Sequence, residues 1–435
     1  MAAEVHPPHL TAAHSTPEHL TPEHPTPEHL TAEDVPREHL TPQRQAARLT
    51  PPGRSRPATP IPRRALLLIP AGLALIVGLD AGLLLAEIPA PVTSDRLPEV
   101  HGMVMVLGFL GTLIALERAI ALRRRWGYLA PVLLGSGGLA LAVPVLPPWL
   151  GQLLLLDGAI VLVGLYAALW RRQRDLPTSS QIVAAGLATM AALLWLRVDV
   201  ERLVPLLVAF LVITIASERV GLARIALPEH SDRVLLAAAL ALAVAAVASV
   251  LAPLWAGRAM AVVLCLLVGW LARHDVARKT ITSVGLPRFA AAAMLLGYAW
   301  LLLAGLVWLV VGDLAGGHVG DLAGGSVGAG HLAGLHSGAA YDIVIHAVTL
   351  GFVMSMVLAH APVILPAVLR RPLPFHPVLW VVLGLLHASL LARVVLGDLA
   401  GLATVWKVGA AGTVLAVLLM SPVIAWSVAR GRHTA

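Results

Sequence analysis

The sequence predicts an all-α polytopic membrane protein: twelve transmembrane helices in three four-helix arcs, preceded by a disordered tail. Three observations predict it. Mean hydropathy is +0.83, and only 13% of the 435 residues are charged, against about 25% in a soluble domain. From Ala65 onward the apolar residues gather into runs of about 20, the length that crosses a bilayer core. The arginines concentrate in alternate connections, which is the pattern that orients such a bundle. The net charge of +7 therefore belongs to loops facing one side of the lipid bilayer, and no nucleic-acid partner is expected. The single cysteine, Cys265, lies in an apolar run, which excludes an intrachain disulfide and a cysteine metal cluster.

Residues 1–62 are a different material. They hold 13 of the 32 prolines and 7 of the 18 histidines, and Thr16-Pro17-Glu18-His19, Thr21-Pro22-Glu23-His24 and Thr26-Pro27-Glu28-His29 repeat with a period of five. So little apolar surface cannot offset the entropy of ordering, so this tail is expected to be disordered. It has no apolar h-region, and no signal peptide is expected in it. Its histidines are a loose metal-binding candidate, with repeat drift as the alternative origin.

The transmembrane domain is residues 63–435. Its runs are 65–88, 98–122, 127–146, 149–171, 178–197, 203–224, 233–252, 255–272, 287–311, 340–361, 376–396 and 403–428. Arg63 and Arg64 precede the first, and Arg123, Arg124 and Arg125 follow the second. Arg171, Arg172 and Arg174 follow the fourth, Arg224 and Arg233 flank the turn after the sixth, and Arg273, Arg278, Lys279 and Arg288 surround the turn after the eighth. Arg370 and Arg371 follow the tenth, and Arg430 and Arg432 close the chain. The opposite connections offer only Arg96, Arg197, Arg202, Arg258 and Lys407. Both termini are expected on the cytoplasmic side. The outer loop 312–339 contains a glycine-rich duplication, Gly312–Val319 and Gly320–Val327, read as a flexible insertion; a metal on its His318, His331 and His336 is not expected.

Ionisable residues inside such runs are functional candidates. The second run begins Glu99-Val100-His101-Gly102, and the tenth carries Tyr341-Asp342 and then His346. Both runs cross in the same direction, so His101 and His346 lie at matching depth, in the first turns below the outer face. Two imidazoles from separate helices at one level are what a bis-histidine haem needs. Gly102 removes a side chain where a porphyrin plane would pack, and Asp342, four residues before His346, shares its face and can accept from the other ring nitrogen. Arg393 and Lys407 stand where the propionates of such a haem would emerge. The alternative for His101 is an interfacial helix-start residue.

The second and sixth runs also share a pattern. Ile114-Ala115-Leu116-Glu117-Arg118 is echoed by Ile215-Ala216-Ser217-Glu218-Arg219, 101 residues on. The echo suggests a parallel repeat of four helices, which makes the second, sixth and tenth equivalent. Adjacent residues on a helix do not face one another, so each Glu is expected to pair with a basic group elsewhere. Anchoring at the inner interface and proton handling are the two readings. His360, about 21 Å beyond His346 and within roughly 40° of its face, is a secondary candidate, as is His387. Asp80 and Asp157 are single intramembrane carboxylates for which packing polarity and function are equal readings.

His346-Ala347-Val348-Thr349-Leu350-Gly351 resembles the His-Ala-Leu-Thr-x-Gly signature of the NnrS family, twelve-helix bacterial membrane proteins that hold haem and copper and are tied to nitric oxide and nitrosative stress. His101-Gly102-x-x-Met105 resembles the low-spin haem motif of heme–copper oxidase subunit I, which also builds three four-helix arcs with ligands on helices 2, 6 and 10. The resemblance implies a b-type haem between His101 and His346, in a bacterial cytoplasmic membrane, serving electron transfer or a small-gas response with a redox partner protein. If the chain is an enzyme, it is then a haem-dependent oxidoreductase. The sixth and seventh runs carry no histidine, and neither a second histidine beside His101 nor a Gly-His-Thr-Gly run after the tenth is present, so copper is not expected. The alternatives are a secondary transporter of a small solute and a scaffold that has lost its cofactor.

Deleting residues 2–60 is expected to leave membrane insertion and cofactor content unchanged; loss of either, measured by fractionation and absorbance, would show that the tail docks.

Overall fold

The computed structural model describes residues 63–224, 226–315, 337–369 and 375–430. The tail, residues 316–336 of the 312–339 loop, and Arg370 and Arg371 lie outside these, with the expectations placed on them. The described chain is helix and turn, and eleven helices are long and apolar enough to cross a membrane. In order these are α1 (Arg64–Leu85), α2 (Arg96–Leu122), α4 (Pro148–Gln173), α5 (Leu176–Leu194), α6 (Val200–Leu222), α7 (Ser231–Leu251), α8 (Pro253–His274), α9 (Leu286–Val311), α10 (Gly338–Pro366), α11 (Val378–Leu399) and α12 (Ala403–Ile424).

The remaining helix, α3, is only Leu129–Ala142, 14 residues, led in by a 3-10 turn at Arg125–Tyr128. It falls short of the predicted run 127–146. The reason is Pro144, which disfavours helical geometry in the residue before it: Val143 is extended, at φ −87° and ψ 111°. Elsewhere the turns are short. Asp175 caps α5 by accepting from the Thr178 N–H at 3.0 Å, and Arg123 and Arg174 end α2 and α4 in the left-handed conformation.

Helices adjacent in sequence pack side by side, and α12 lies against α1, so the bundle closes on itself. Three helices form its axis. Of their most apolar stretches, 83% of α6 and 67% of α2 and α10 are buried, against 33–56% for the rest. In α6 every residue from Leu203 to Ser217 is buried. A helix apolar all round belongs in the interior, which is why these three sit there.

Two axial helices and α11 are not regular. Val104–Gly111 in α2, Ala347–Val353 in α10 and Ala392–Leu399 in α11 are π-helical, a geometry frequent at functional sites. Close crossings are made by small residues, the usual basis of helix association in lipid. A Cβ on Gly138 of α3 would lie 2.9 Å from the Gly108 Cα of α2. Gly138→Leu is therefore expected to cost about 1–3 kcal/mol, read as a lower melting temperature in detergent. Gly164→Ala, where nothing lies within 4 Å, should melt with the parent protein.

Candidate functional site

Two large cavities lie along the axis, one in each half. The first, about 480 Å³, opens among the first turns of α2 and α10, and both His101 and His346 line it. Its remaining walls come from α1, α6, α11 and α12, and its polar lining includes Asp342, Arg393, Asp398 and Trp406.

The two rings are held the same way. His101 Nδ1 lies 2.9 Å from the Gly78 carbonyl, and His346 Nδ1 lies 2.9 Å from the Asp342 carbonyl. A carbonyl only accepts, so each Nδ1 donates, and in the neutral ring the lone pair is then on Nε2. That is the tautomer of a metal-binding imidazole. A Cβ on Gly78 would sit 2.2 Å from Met105 Sδ, so the glycine lets that side chain pack against α1 while its carbonyl holds His101. At Gly102 a Cβ would meet Val200 Cγ1 at 3.2 Å, so this residue also seats α2 on α6.

Asp342 is the hub of the first cavity. Its carboxylate accepts two bonds from Arg393, Nε to Oδ2 at 2.9 Å and Nη2 to Oδ1 at 2.6 Å. Trp406 Nε1 donates to Oδ2 at 3.3 Å, and His346 Nδ1 lies 3.1 Å from Oδ1. The Arg393 guanidinium also stacks 4.9 Å above the Trp406 ring. α10, α11 and α12 are thus tied through one side chain. Two glycines make this crossing possible: a Cβ on Gly409 would lie 2.5 Å from the Arg393 nitrogen, and one on Gly397 would lie 2.6 Å from Trp406 Cβ. Lys407 turns away to Glu87 at 2.9 Å and does not line the cavity. Asp398, which the sequence reading passed over, stands against Asp342, and its Oδ2 is buried with no partner among the described residues. Its position in an apolar stretch beside Arg393 was the available signal.

The second cavity, about 510 Å³, occupies the arginine-rich half and is lined by Glu117, Glu218 and His360 within apolar walls. The two cavities share Phe109 and Leu110 as lining. Arg118 bonds its own neighbour Glu117 and lies 3.3 Å from Glu218 Oε1. The expectation that neither Glu would pair with its adjacent Arg thus fails at Glu117 and holds at Glu218. A long, flexible guanidinium can fold back along its own helix when a second carboxylate draws it to the same point.

Arg219 faces elsewhere. It binds Asp275 through Nε at 3.0 Å and Nη2 at 2.8 Å, and its Nη1 lies 3.1 Å from His360 Nε2. The Tyr298 hydroxyl donates to Asp275 at 2.6 Å, joining α6, α9 and α10 to the turn after α8. His360 Nδ1 bonds the Met356 carbonyl at 2.7 Å, so Nε2 is the acceptor for Arg219. The π-helical segment Ala347–Val353 lies between His346 and His360, so the angle of a regular 3.6-residue helix does not carry over to this pair. Each histidine opens on its own cavity. His387 is a packed core residue: Nδ1 accepts from Trp300 at 2.8 Å, and Nε2 lies 3.3 Å from Ser355. Asp80 accepts from the Val92 N–H at 3.3 Å, and Asp157 is exposed on α4.

These features define a multi-pass helical membrane protein with an internal cavity among its axial helices α2, α6 and α10. The chain belongs to the family described as a domain of unknown function (DUF8744), which matches residues 64–429. No curated protein and no solved structure matches it.

The Arg219–Asp275 pair gives a test of its own. Burial pushes the Asp275 carboxyl up, but the bonds and charge of Arg219 and the Tyr298 hydroxyl outweigh it and hold it below the ordinary carboxylate range. A depressed carboxyl stabilises above its unfolded pKa and loses that contribution as pH falls through the folded value. Asp275→Asn, which leaves Arg219 uncompensated, is expected to cost about 3–5 kcal/mol at neutral pH. It should also flatten the acid limb of a melting-temperature profile below about pH 4.

Proposed function

We propose that this protein binds one b-type haem in the first cavity, with His101 and His346 as the axial ligands. The observation that carries the reading is the pair of imidazoles, from two separate helices, both held by Nδ1 and both lining one cavity. Haem iron takes four ligands from its macrocycle, so two protein imidazoles are the number that such a group asks of the chain. The volume is within the range of cofactor sites. Bound haem would supply one-electron exchange or a gas-binding iron. The chain's own part is to orient His101 through Gly78 and His346 through Asp342, while Arg393 and Trp406 fix that carboxylate. The reading continues to electron transfer or a nitric oxide or other small-gas response, with a redox partner protein, in a bacterial cytoplasmic membrane with both termini inside. It takes α3 with its lead-in turn, together about 29 Å of helix, as a twelfth crossing that completes three four-helix arcs.

A second reading, a secondary transporter, is favoured by one observation: two cavities in series, one per half, meeting at Phe109 and Leu110. A reduced-minus-oxidised absorbance spectrum of the purified protein separates the two. Haem bands that vanish in His101→Ala and in His346→Ala, persist in His360→Ala and His387→Ala, and weaken with about 10–100-fold lower haem affinity in Asp342→Asn are the expected result. Protein expressed with ample haem that shows no such bands would give the transporter reading precedence.

A further inference from the structure

The first cavity holds more acid than base. Among the described residues Glu99, Glu201, Asp342 and Asp398 line it, against the single guanidinium of Arg393; Tyr341 and the two histidines are its other titratable groups. Arg393 directs Nε and Nη2 at Asp342, and its ion pair is with that residue. Lys407, the nearest cation along α12, turns to Glu87 instead. Asp398 is left over. It lies five residues beyond Arg393 in the π-helical end of α11, one step of i to i+5 bonding. That step brings it within hydrogen-bonding reach of the Asp342 carboxylate and the Trp406 N–H.

Two ionised carboxylates only accept, so a bond between them needs a proton on one. Two negative charges at one site also repel, and one guanidinium compensates only one of them. Asp398 Oδ2 is buried and without a partner among the described residues, which costs far more in an ionised carboxylate than in a neutral carboxyl. Asp342 has the guanidinium, so the proton belongs on Asp398. With it there, the group Asp342, Arg393 and Asp398 carries no net charge. Glu99 and Glu201 on the same lining act in the same direction.

We propose that Asp398 and Asp342 form a proton-binding site in the first cavity: one proton shared by two carboxyls, resident on Asp398 and exchanged with water on the side where the cavity opens. Asp398 stands in the last turn of α11 and is half-buried, which gives that exchange a short path. The use of the proton rests on the haem reading above. A positive charge created between His101 and His346 would expel it. Each electron lost there would then be accompanied by up to one proton released to water, and each electron gained from a one-electron donor protein by the return of that proton.

Infrared difference spectroscopy of the full-length protein in nanodiscs reads the proton directly, because the carbonyl stretch of a protonated carboxyl is separate from that of a carboxylate. The expected result at neutral pH is a protonated-carboxyl band that shifts in heavy water, vanishes in Asp398→Asn and is unchanged in Glu87→Gln. Absence of the band, or a band that Asp398→Asn leaves intact, overturns the proposal. Should Asp398→Asn fail to fold, Asp398→Glu keeps the acid on a longer stem and should move the band; an unmoved band overturns the proposal equally. In haem-loaded protein the midpoint potential should fall with rising pH across the range in which the band titrates. The slope should approach about 59 mV per unit, the value for one proton per electron, and Asp398→Asn should abolish it. A potential independent of pH through that range overturns the proposal. A preparation without haem bands removes the haem reading alone and leaves the infrared result to decide the proton site.

Discussion

Asp342 and Arg393 can sit inside an apolar bundle because each satisfies the other in a bidentate, planar contact. Removing a charge from water costs several kcal/mol even after relaxation, and only good geometry with further hydrogen bonds returns it. The further bonds are what organise the site. Trp406 shares the carboxylate and stacks on the guanidinium, and His346 leans on the residue's carbonyl and carboxylate together. An interaction required to make α10, α11 and α12 compatible in lipid therefore also determines which nitrogen of His346 is left open. The site's tautomer is a consequence of packing.

The same economy appears in the π-helical segments. A π turn leaves the chain one residue out of step with a regular helix. In α2 it begins three residues after His101, in α10 immediately after His346, and in α11 it contains Arg393. Each lies at or beside a side chain, His101, His346 or Arg393, that lines the first cavity. Gly351, the last residue of the His-Ala-Val-Thr-Leu-Gly stretch, lies in one of these turns. A Cβ there would fall 2.4 Å from Trp300 Cγ, so the glycine is needed by the neighbouring helix and not by the cavity.

Much of the plan was legible from composition. Span positions follow from hydropathy, because a helix that crosses lipid must be apolar for most of its length. The central role of α2, α6 and α10 was visible in the echo of Ile-Ala-x-Glu-Arg and in the histidines that open two of them. What was not legible is register. No residue pattern announces a π turn, so the angular relation of His346 to His360 was inferred from a regular helix that is not there. Partner choice was equally hidden. Nothing local tells Arg118 to answer its own neighbour while Arg219 crosses to Asp275, since both choices depend on which helix lies opposite. The shortness of α3 was legible after the fact in Pro144.

The boundary between the two cavities carries the last consequence. Phe109 and Leu110 lie in the π-helical part of α2 and line both spaces. No charged or hydrogen-bonding side chain is common to the two linings. A proton or hydrated ion crossing from Glu117 or Glu218 to the histidines would have to pass an apolar partition, where leaving water costs several kcal/mol for each unmatched polar group. An apolar gas or an electron meets no such cost. A bundle built this way keeps polar traffic in its two halves separate while leaving them close. That division suits a protein whose two cavities hold different molecules better than one that moves a single polar solute through both.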